Sequence, residues 1–464
     1  MRSFDYFPFR FQIQSNTRFL VESDWSLTDP CIENSIADER ETAIIIPTNS
    51  RRLLRHAVIL ASLATFTVAS YAAADVSSST APADTQVAQA ATPAPPPAAA
   101  PAAAPAPAPA PVWSVGSVDL SGYIDGYISY NANRPGSSEL PTGQENQYYN
   151  FDDKTDQFNL EAAKLTLNHD PDPVGAHLDL IFGRTNTLIH SATDSTTNNY
   201  IEQAYITMKP PKAKGFEMDF GQFTTSAGQE VIETMSNWSY SHGLLFSYAI
   251  PYYHFGLRTS APFTKVWTVG AQLVNGWNNV NDNNGGVTVG LTSSLVKPKY
   301  TWNLNYYVGP ENTDTQKGYR NLIDTTLLLT PNAKFNWYVN YDYGQNRTVA
   351  GAFGPGSKED SAHWQGIATS ARGQVTANAA LIGRYEYFYD DQGFQTGTKQ
   401  TLNEFTGTYE YKWPVGLLMR AEYRRDWSDH AVFPKGSETI ATPETVKAQS
   451  TATIGLIAFF GPKR

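Results

Sequence analysis

The chain has 464 residues, of which only 17% are charged although 13% are aromatic. Soluble proteins usually carry about 25% charged residues, and a protein built from membrane helices would be far more apolar, so this composition disfavours both classes. The mild net charge of −10 gives no electrostatic reason to bind nucleic acid. The combination is expected of β-strands that present one apolar and one polar face.

The first 74 residues are expected to precede the folded protein. Residues 1–50 show no clear pattern and are expected to be unstructured, either as a mis-called start or as a genuine extension of the signal. Residues 51–74 open with three arginines, continue with the apolar run Ala57–Ala69 and end in Ala72–Ala74. This order predicts a cleavable signal peptide, since the apolar run is short for a membrane anchor, which is the alternative.

Residues 75–112 are mostly Ala, Pro, Ser and Thr, and they end in the stretch Pro93–Pro111. Such a tract cannot bury a core and is expected to be an extended periplasmic spacer, although a binding motif within it is an alternative. The only cysteine, Cys31, lies upstream of the predicted cleavage site. The exported chain would therefore carry no disulfide and no thiolate metal site, and its 27 basic and 36 acidic residues give a net charge of −9.

From residue 113 onward, short segments alternate between apolar and polar residues. In Tyr300–Tyr306 the even positions are apolar and the odd positions polar. Leu417–Arg424 alternates in the opposite register, with its odd positions apolar. A period of two places the two sets on opposite faces of a strand. Sixteen strands are predicted, near residues 117–130, 156–168, 174–184, 200–209, 215–223, 250–259, 265–275, 286–296, 299–309, 319–330, 334–344, 360–372, 375–389, 400–411, 416–427 and 447–460.

The links between these segments alternate between short and long. Links after even-numbered segments are turn-like, as in Lys297–Pro298 and Thr330–Asn332, whereas most others are longer and rich in Gly, Asn, Asp, Ser and Thr. Short turns at one end and long loops at the other are typical of outer-membrane barrels. We therefore predict an all-β fold within residues 113–464: a transmembrane, antiparallel, up-and-down β-barrel of about sixteen strands, with short periplasmic turns and long external loops.

Aromatic residues recur near the predicted strand ends, as in the girdles at the two interfaces of a membrane barrel. The alternative is that they are packing residues of a soluble sheet. The predicted girdle residues are Tyr130, Trp267, Trp302, Tyr387, Tyr389, Trp427 and Phe460.

Several short motifs make the chain resemble the OmpL-like β-barrel porins of Gram-negative outer membranes. The resemblance covers roughly residues 117–460. It rests on Gly221–Phe223, Gly228–Glu230, Asn237–Ser241, Pro251–Gly256 and the closing segment Thr453–Phe460. It implies the passage of solutes through the barrel, and no catalytic residues are carried over from the family. Such barrels usually end on the last aromatic residue, whereas Gly461–Arg464 follows here.

The strand register places a set of charged side chains on the inner face of the barrel. A barrel of this size leaves an aqueous channel, and a basic residue facing lipid at the midplane would cost about 2–4 kcal/mol. The predicted lumen-facing wall residues are Asp119, Asp125, Asp179, Glu217, Asp219, Glu386, Glu404 and Glu422. The basic residues of the same face are Arg258, Arg384, Arg420 and Arg424.

The third external connection, residues 224–250, is a candidate constriction loop. It is long, mixed in polarity and carries Glu230 and Glu233. We expect these two carboxylates to face the four arginines of the wall and so to narrow the pore. The alternative is a loop packed at the outer rim.

The residues indicate a channel rather than an enzyme. The histidines are scattered and lack ligand spacing, so no metal and no cofactor is predicted. The expected partners are outer-membrane lipid and small hydrophilic solutes that diffuse passively, and a homotrimer is the candidate assembly. The alternative is a structural or adhesive barrel with a plugged lumen, whose external loops bind a partner.

Overall fold

The structure is a computed structural model that describes residues 114–115, 117–136, 144–190, 199–350, 359–436 and 444–461. The predicted signal peptide, the spacer and the first fifty residues lie outside the described residues. No helix among the described residues is long and apolar enough to cross a membrane.

Sixteen long strands form the fold, and each of the sixteen predicted segments overlaps one of them. They are β1 Val118–Asn131, β2 Phe158–His169, β3 Val174–Phe182, β4 Ile201–Met208, β5 Glu217–Thr224, β6 Tyr253–Pro262, β7 Trp267–Val274, β8 Thr288–Lys297, β9 Tyr300–Pro310, β10 Tyr319–Asn332, β11 Phe335–Thr348, β12 Asp360–Gln374, β13 Ala379–Asp390, β14 Gln400–Trp413, β15 Leu417–Ser428 and β16 Ala448–Phe460.

Each strand pairs antiparallel with the next strand along the chain, and β16 pairs antiparallel with β1. The sheet is therefore a closed barrel, in which the strands leave no open edge. A two-residue strand, Ser114–Val115, adds to the start of β1. The prediction of a closed antiparallel barrel of sixteen strands is confirmed.

The alternation of side chains gives the barrel an apolar outside and a polar inside. On β16, Ile454 and Leu456 point outward and are about half exposed, whereas Thr453 and Ile457 on either side of them are buried. The same alternation runs around the barrel, since antiparallel partners share a face. Large apolar residues of the strands are consequently exposed mainly on the outer wall, where lipid would cover them. Others, such as Phe263 and Val415, are exposed in the short turns.

The connections differ between the two ends of the barrel. Short turns follow the even-numbered strands, such as the two residues between β8 and β9. The long connections at the other end carry the remaining elements: helix α1 Arg184–Ile189, a 3₁₀ turn Thr234–Ser236, helix α2 Leu244–Tyr248, and a small hairpin that pairs Phe433–Lys435 with Glu444–Val446.

Candidate functional site

The connection between β5 and β6, residues 225–252, is here called the interior segment. It contains the 3₁₀ turn and α2, and its Tyr240, Leu244, Phe246 and Ile250 are each at most 3% exposed. It contacts inward-facing residues in the middle of strands, and it also packs against the β1–β2 connection through Phe151. The segment therefore lies against the inner wall of the barrel.

Arg384 of β13 joins the wall to the interior segment. Its guanidinium group lies 2.6 Å from the Glu230 carboxylate of the segment and 2.8 Å from Glu404 of β14. It also donates to the carbonyl oxygen of Ser241 at 2.6 Å. A buried charge must be paired and hydrogen-bonded to be tolerated, and here the segment supplies part of that pairing.

Two further arginines, both on β15, bind backbone carbonyl groups of the interior segment. Arg420 donates to the carbonyl oxygens of Thr234, Asn237 and Ser239. Arg424 donates to the carbonyl oxygen of His242 at 2.7 Å. Since arginine offers five N–H donors in a fixed plane, each side chain holds the segment and a wall carboxylate together. The wall carboxylates are Glu410 for Arg420 at 2.9 Å and Asp426 for Arg424 at 2.7 Å.

Wall carboxylates bind the interior segment in the opposite sense, by accepting its backbone N–H groups. Glu422 accepts from Tyr240 at 2.7 Å, Glu386 accepts from Leu245 at 2.9 Å, and Asp324 accepts from Gly228 at 3.0 Å. In addition, the Tyr240 hydroxyl donates to Asp125 of β1 at 2.7 Å. These bonds satisfy N–H groups that would otherwise be buried without partners.

The second predicted loop carboxylate, Glu233, pairs with a residue that the sequence did not single out. It contacts Lys164 of β2, whose Nζ also lies 2.8 Å from Asp179 and 2.9 Å from Glu202. Lys164 is only 5% exposed in its side chain. Asp179, Glu202 and Glu233 are the only group of three or more potential ligand side chains among the described residues that lies close enough to hold a metal ion, but the ammonium group of Lys164 already pairs with all three.

Arg258 of β6 stands apart from the two loop carboxylates. It pairs with Asp219 of β5 at 2.7 Å and lies over the ring of Phe223. Glu217, two residues before Asp219 on β5, forms an ion pair with Lys209 at 3.1 Å. Of the four predicted wall arginines, only Arg384 therefore forms an ion pair with a loop carboxylate, while Arg420 and Arg424 bind loop carbonyl groups.

The remaining predicted residues lie on the faces that the register assigns to them. The predicted wall carboxylates and arginines share the inner face through the strand pairings, as in Glu386 opposite Glu404 and Asp119 opposite Asn168. The seven predicted girdle aromatics lie on the outer face. Two of them bond across strands there, since Trp267 donates to Ser293 at 2.8 Å and Trp302 donates to Thr325 at 2.9 Å.

The interior segment covers one side of the inner wall much more than the other. Inward residues on β10–β15, such as Asp324, Asn340 and Arg384, are almost all buried. On β2–β9, several inward residues in the half nearer the short turns, such as Thr166, Thr292 and Asn303, keep part of their surface accessible. The accessible interior therefore lies beside β2–β9, across from the wall that the segment covers.

Close approaches of the wall to the segment require small residues. A side chain on Gly455 of β16 would overlap the ring of Tyr240, and one on Gly243 would overlap the carboxylate of Glu386. Trp364 of β12 donates from its indole to the carbonyl oxygen of Ala249 at 3.0 Å. Neither glycine nor the tryptophan was predicted, because their partners are far away in sequence.

His242, at the centre of the segment, has a packing role. Its ring lies against Phe151 and Phe246, with centroid distances of 4.2 and 4.8 Å, and its Nε2 donates to the carbonyl oxygen of Val231 at 2.8 Å. Burial lowers the pKa of His242 to about 4, so the ring is neutral at neutral pH.

Comparison with known proteins identifies the kind of barrel. A family model described as "Putative beta-barrel porin-2, OmpL-like" matches residues 117–460, whereas no curated protein matches the chain. The chain is similar to OmpT of Vibrio cholerae (12% identity, TM-score 0.47, covering 74% of this chain and 97% of that one). It is also similar to the anion-selective porin of Comamonas acidovorans (10%, 0.49, 74% and 99%) and to the outer-membrane channel DcaP of Acinetobacter baumannii (13%, 0.48, 74% and 97%).

Proposed function

The chain belongs to the OmpL-like family of β-barrel porins, and from this premise we propose that it lets small hydrophilic solutes diffuse passively across the bacterial outer membrane. The solutes would pass through a water-filled lumen that the interior segment narrows. We also propose that the protein reaches the membrane by means of a cleaved signal peptide. A homotrimer is the proposed assembly, and native mass spectrometry of the protein in detergent would then give a mass of three chains.

One observation carries the proposal of a narrowed lumen. The interior segment covers the inner wall on β10–β15, while several inward residues of β2–β9 in the half nearer the short turns remain partly accessible. A segment that filled the barrel would bury both sides equally. We therefore place the path of the solutes between the interior segment and the strands opposite it.

Glu230 and Glu233 have different roles in this proposal. Glu230 is 8% exposed in its side chain and paired with Arg384, so it fastens the segment to the wall. Glu233 is 19% exposed in its side chain and paired with Lys164, so it borders the path. Passing ions would therefore sense the charge of Glu233 more directly than that of Glu230.

Single-channel recordings of Glu233→Gln test the role of the loop in conduction. A unit charge about 4 Å from an ion in water contributes about 1 kcal/mol. We therefore expect the cation-to-anion permeability ratio to fall by up to about five-fold. Glu359→Gln is the matched control, because Glu359 is exposed in the connection between β11 and β12.

Two outcomes of the recordings would reject parts of the proposal. If Glu233→Gln and Glu359→Gln both conduct like the unaltered protein, the segment does not line the path. If the unaltered protein itself is silent, the lumen is plugged, and a structural or adhesive barrel that binds a partner through its external loops becomes the better reading.

A further inference from the structure

Two buried carboxylates near the external end of β1 and β2 have oxygen atoms without hydrogen-bond partners. Asp152, in the connection between these strands, is 2% exposed, and neither of its carboxylate oxygens has a hydrogen-bond partner. Glu161 of β2 is 1% exposed, and its Oε2 also lacks a partner. Unpaired carboxylate oxygens in the interior of a protein are costly, so this arrangement calls for a compensating charge.

Helix α1 contacts Glu161 and the neighbour of Asp152, and the backbone N–H of Asp152 lies against the Glu161 carboxylate. Arg184 pairs with Asp153, the neighbour of Asp152, and donates to it from Nε at 3.0 Å. The adjacent Thr185 donates to Glu161 Oε1 at 2.8 Å. Two successive helix residues thus hold Glu161 and the Asp152–Asp153 pair, and the charge of Glu161 acts on the carboxylate of Asp152.

No basic side chain of the described residues forms an ion pair with either carboxylate. Arg184 is engaged by Asp153, and no ion pair of the described residues includes Asp152 or Glu161. Arg424 acts on Asp152 from a distance, but it is bound to Asp426 and Glu404. Asp125 of β1 adds a further buried carboxylate, with its Oδ2 unpartnered.

We propose that Asp152 and Glu161 bind a divalent cation of the calcium type. Calcium takes six to eight oxygen ligands in irregular geometry, and carboxylates, carbonyl groups and waters all serve. Magnesium requires a nearly ideal octahedron, which two carboxylates from different elements do not impose. Asp125 would strengthen binding through its charge without acting as a ligand.

The bound cation would fasten the external side of the barrel. It would join the β1–β2 connection to β2, next to the place where Tyr240 of the interior segment binds Asp125. Without the cation, burial and the nearby charges of Glu422 and Glu161 raise the pKa of Asp152 well above its usual range. Uptake of a proton is therefore the competing way to remove the charge.

Terbium luminescence of the full-length protein in detergent tests the site. Terbium takes calcium sites, and Tyr127 and Tyr240 are the nearby aromatic donors, since the charges of Asp152 and Glu161 act on both. We expect tyrosine-sensitised emission that saturates at about one ion per chain and is displaced by calcium. Asp152→Asn and Glu161→Gln should each weaken calcium binding by about tenfold or more, whereas Glu145→Gln, an exposed carboxylate of the same connection, should not.

Thermal unfolding distinguishes cation binding at this site from protonation of the carboxylates and from misfolding of the variants. The double variant Asp152→Asn/Glu161→Gln lacks the buried charges, so it should be at least as stable as the unaltered protein in EDTA and less stable than it in calcium. Calcium-independent unfolding of the unaltered protein would overturn the proposal in favour of protonated carboxylates. Equal terbium emission from the double variant would show adventitious binding only and would also overturn it. Neither readout depends on conduction, so a failure of the channel proposal would leave this test intact.

Discussion

Arg384 is fully buried, yet each nitrogen of its guanidinium group has an acceptor. Nε and one terminal nitrogen donate to Glu404, and the other terminal nitrogen donates to Glu230 and to the carbonyl oxygen of Ser241. A buried ion pair adds little stability compared with apolar packing, but removing one partner leaves the others uncompensated. Docking of the interior segment on the wall therefore depends on the positive charge of Arg384.

Arg384→Met should release the interior segment from the wall. The change leaves the carboxylates of Glu230 and Glu386 without a counter-charge and leaves Glu404 paired only with Arg424. Breaking a buried pair costs about 3–5 kcal/mol. We expect chymotrypsin to cleave near Trp238–Tyr240 in the variant and not in the unaltered protein. Arg425→Met, which alters an exposed arginine of the outer wall, is the control, and equal protection of all three proteins would contradict the assignment.

Gly455→Val tests the close packing of the segment on β16. The added side chain would overlap the ring of Tyr240, so the ring must move and its hydrogen bond to Asp125 must break. We expect a higher single-channel conductance, because the segment would be displaced from the wall and lose its fixed position. Gly407→Val is the matched control, since nothing lies within 4 Å of a side chain at that position. A normal conductance of Gly455→Val would show that Tyr240 does not hold the segment.

At the level of elements, the strands could be predicted because their signal is local. Alternation over eight to fifteen residues, bounded by turn residues, marks each strand without knowledge of its neighbours. The same alternation separated the inward charges from the outward aromatics. Alternation does not identify which side chains contact each other, however. Tyr240 and Asp125 are 115 residues apart, and Glu230 and Arg384 are 154 residues apart.

Lys164 shows where alternation fails. The pairing of β1 with β2 shifts register between Asp125 and Gly126, because a bulge places one extra residue in β2. A bulge changes the face of every residue beyond it. Strict alternation along β2 would therefore place Glu161 and Lys164 on opposite faces, although both are buried. The pairing of Lys164 with Asp179, Glu202 and Glu233 was consequently not predicted from the sequence.

Removal of the interior segment should leave the barrel intact. The sixteen strands form a complete hydrogen-bonded ladder that does not include residues 229–247, so the wall does not need the segment to close. Replacement of these residues by a short Gly/Ser linker should give a folded barrel with a conductance several-fold higher. Deletion of residues 351–358 in the β11–β12 connection is the control, and an unchanged conductance of the first variant would contradict a narrowing role.

At the scale of the whole molecule, the side of the interior across from the wall that the segment covers carries excess negative charge. The ion-paired groups on β2–β6 and on the segment contain three basic and five acidic side chains. The basic residues are Lys164, Lys209 and Arg258, and the acidic residues are Asp179, Glu202, Glu217, Asp219 and Glu233. A passage lined by one sign of charge concentrates the opposite ion, so the account predicts a preference for cations that weakens at high salt.

The most direct test is the single-channel current of the purified protein in a planar bilayer with a salt gradient across it. The account predicts discrete conductance steps and a reversal potential that corresponds to a potassium-to-chloride permeability ratio above about five, from about 1 kcal/mol per net charge near the path. A silent barrel, or one that prefers chloride, would contradict it.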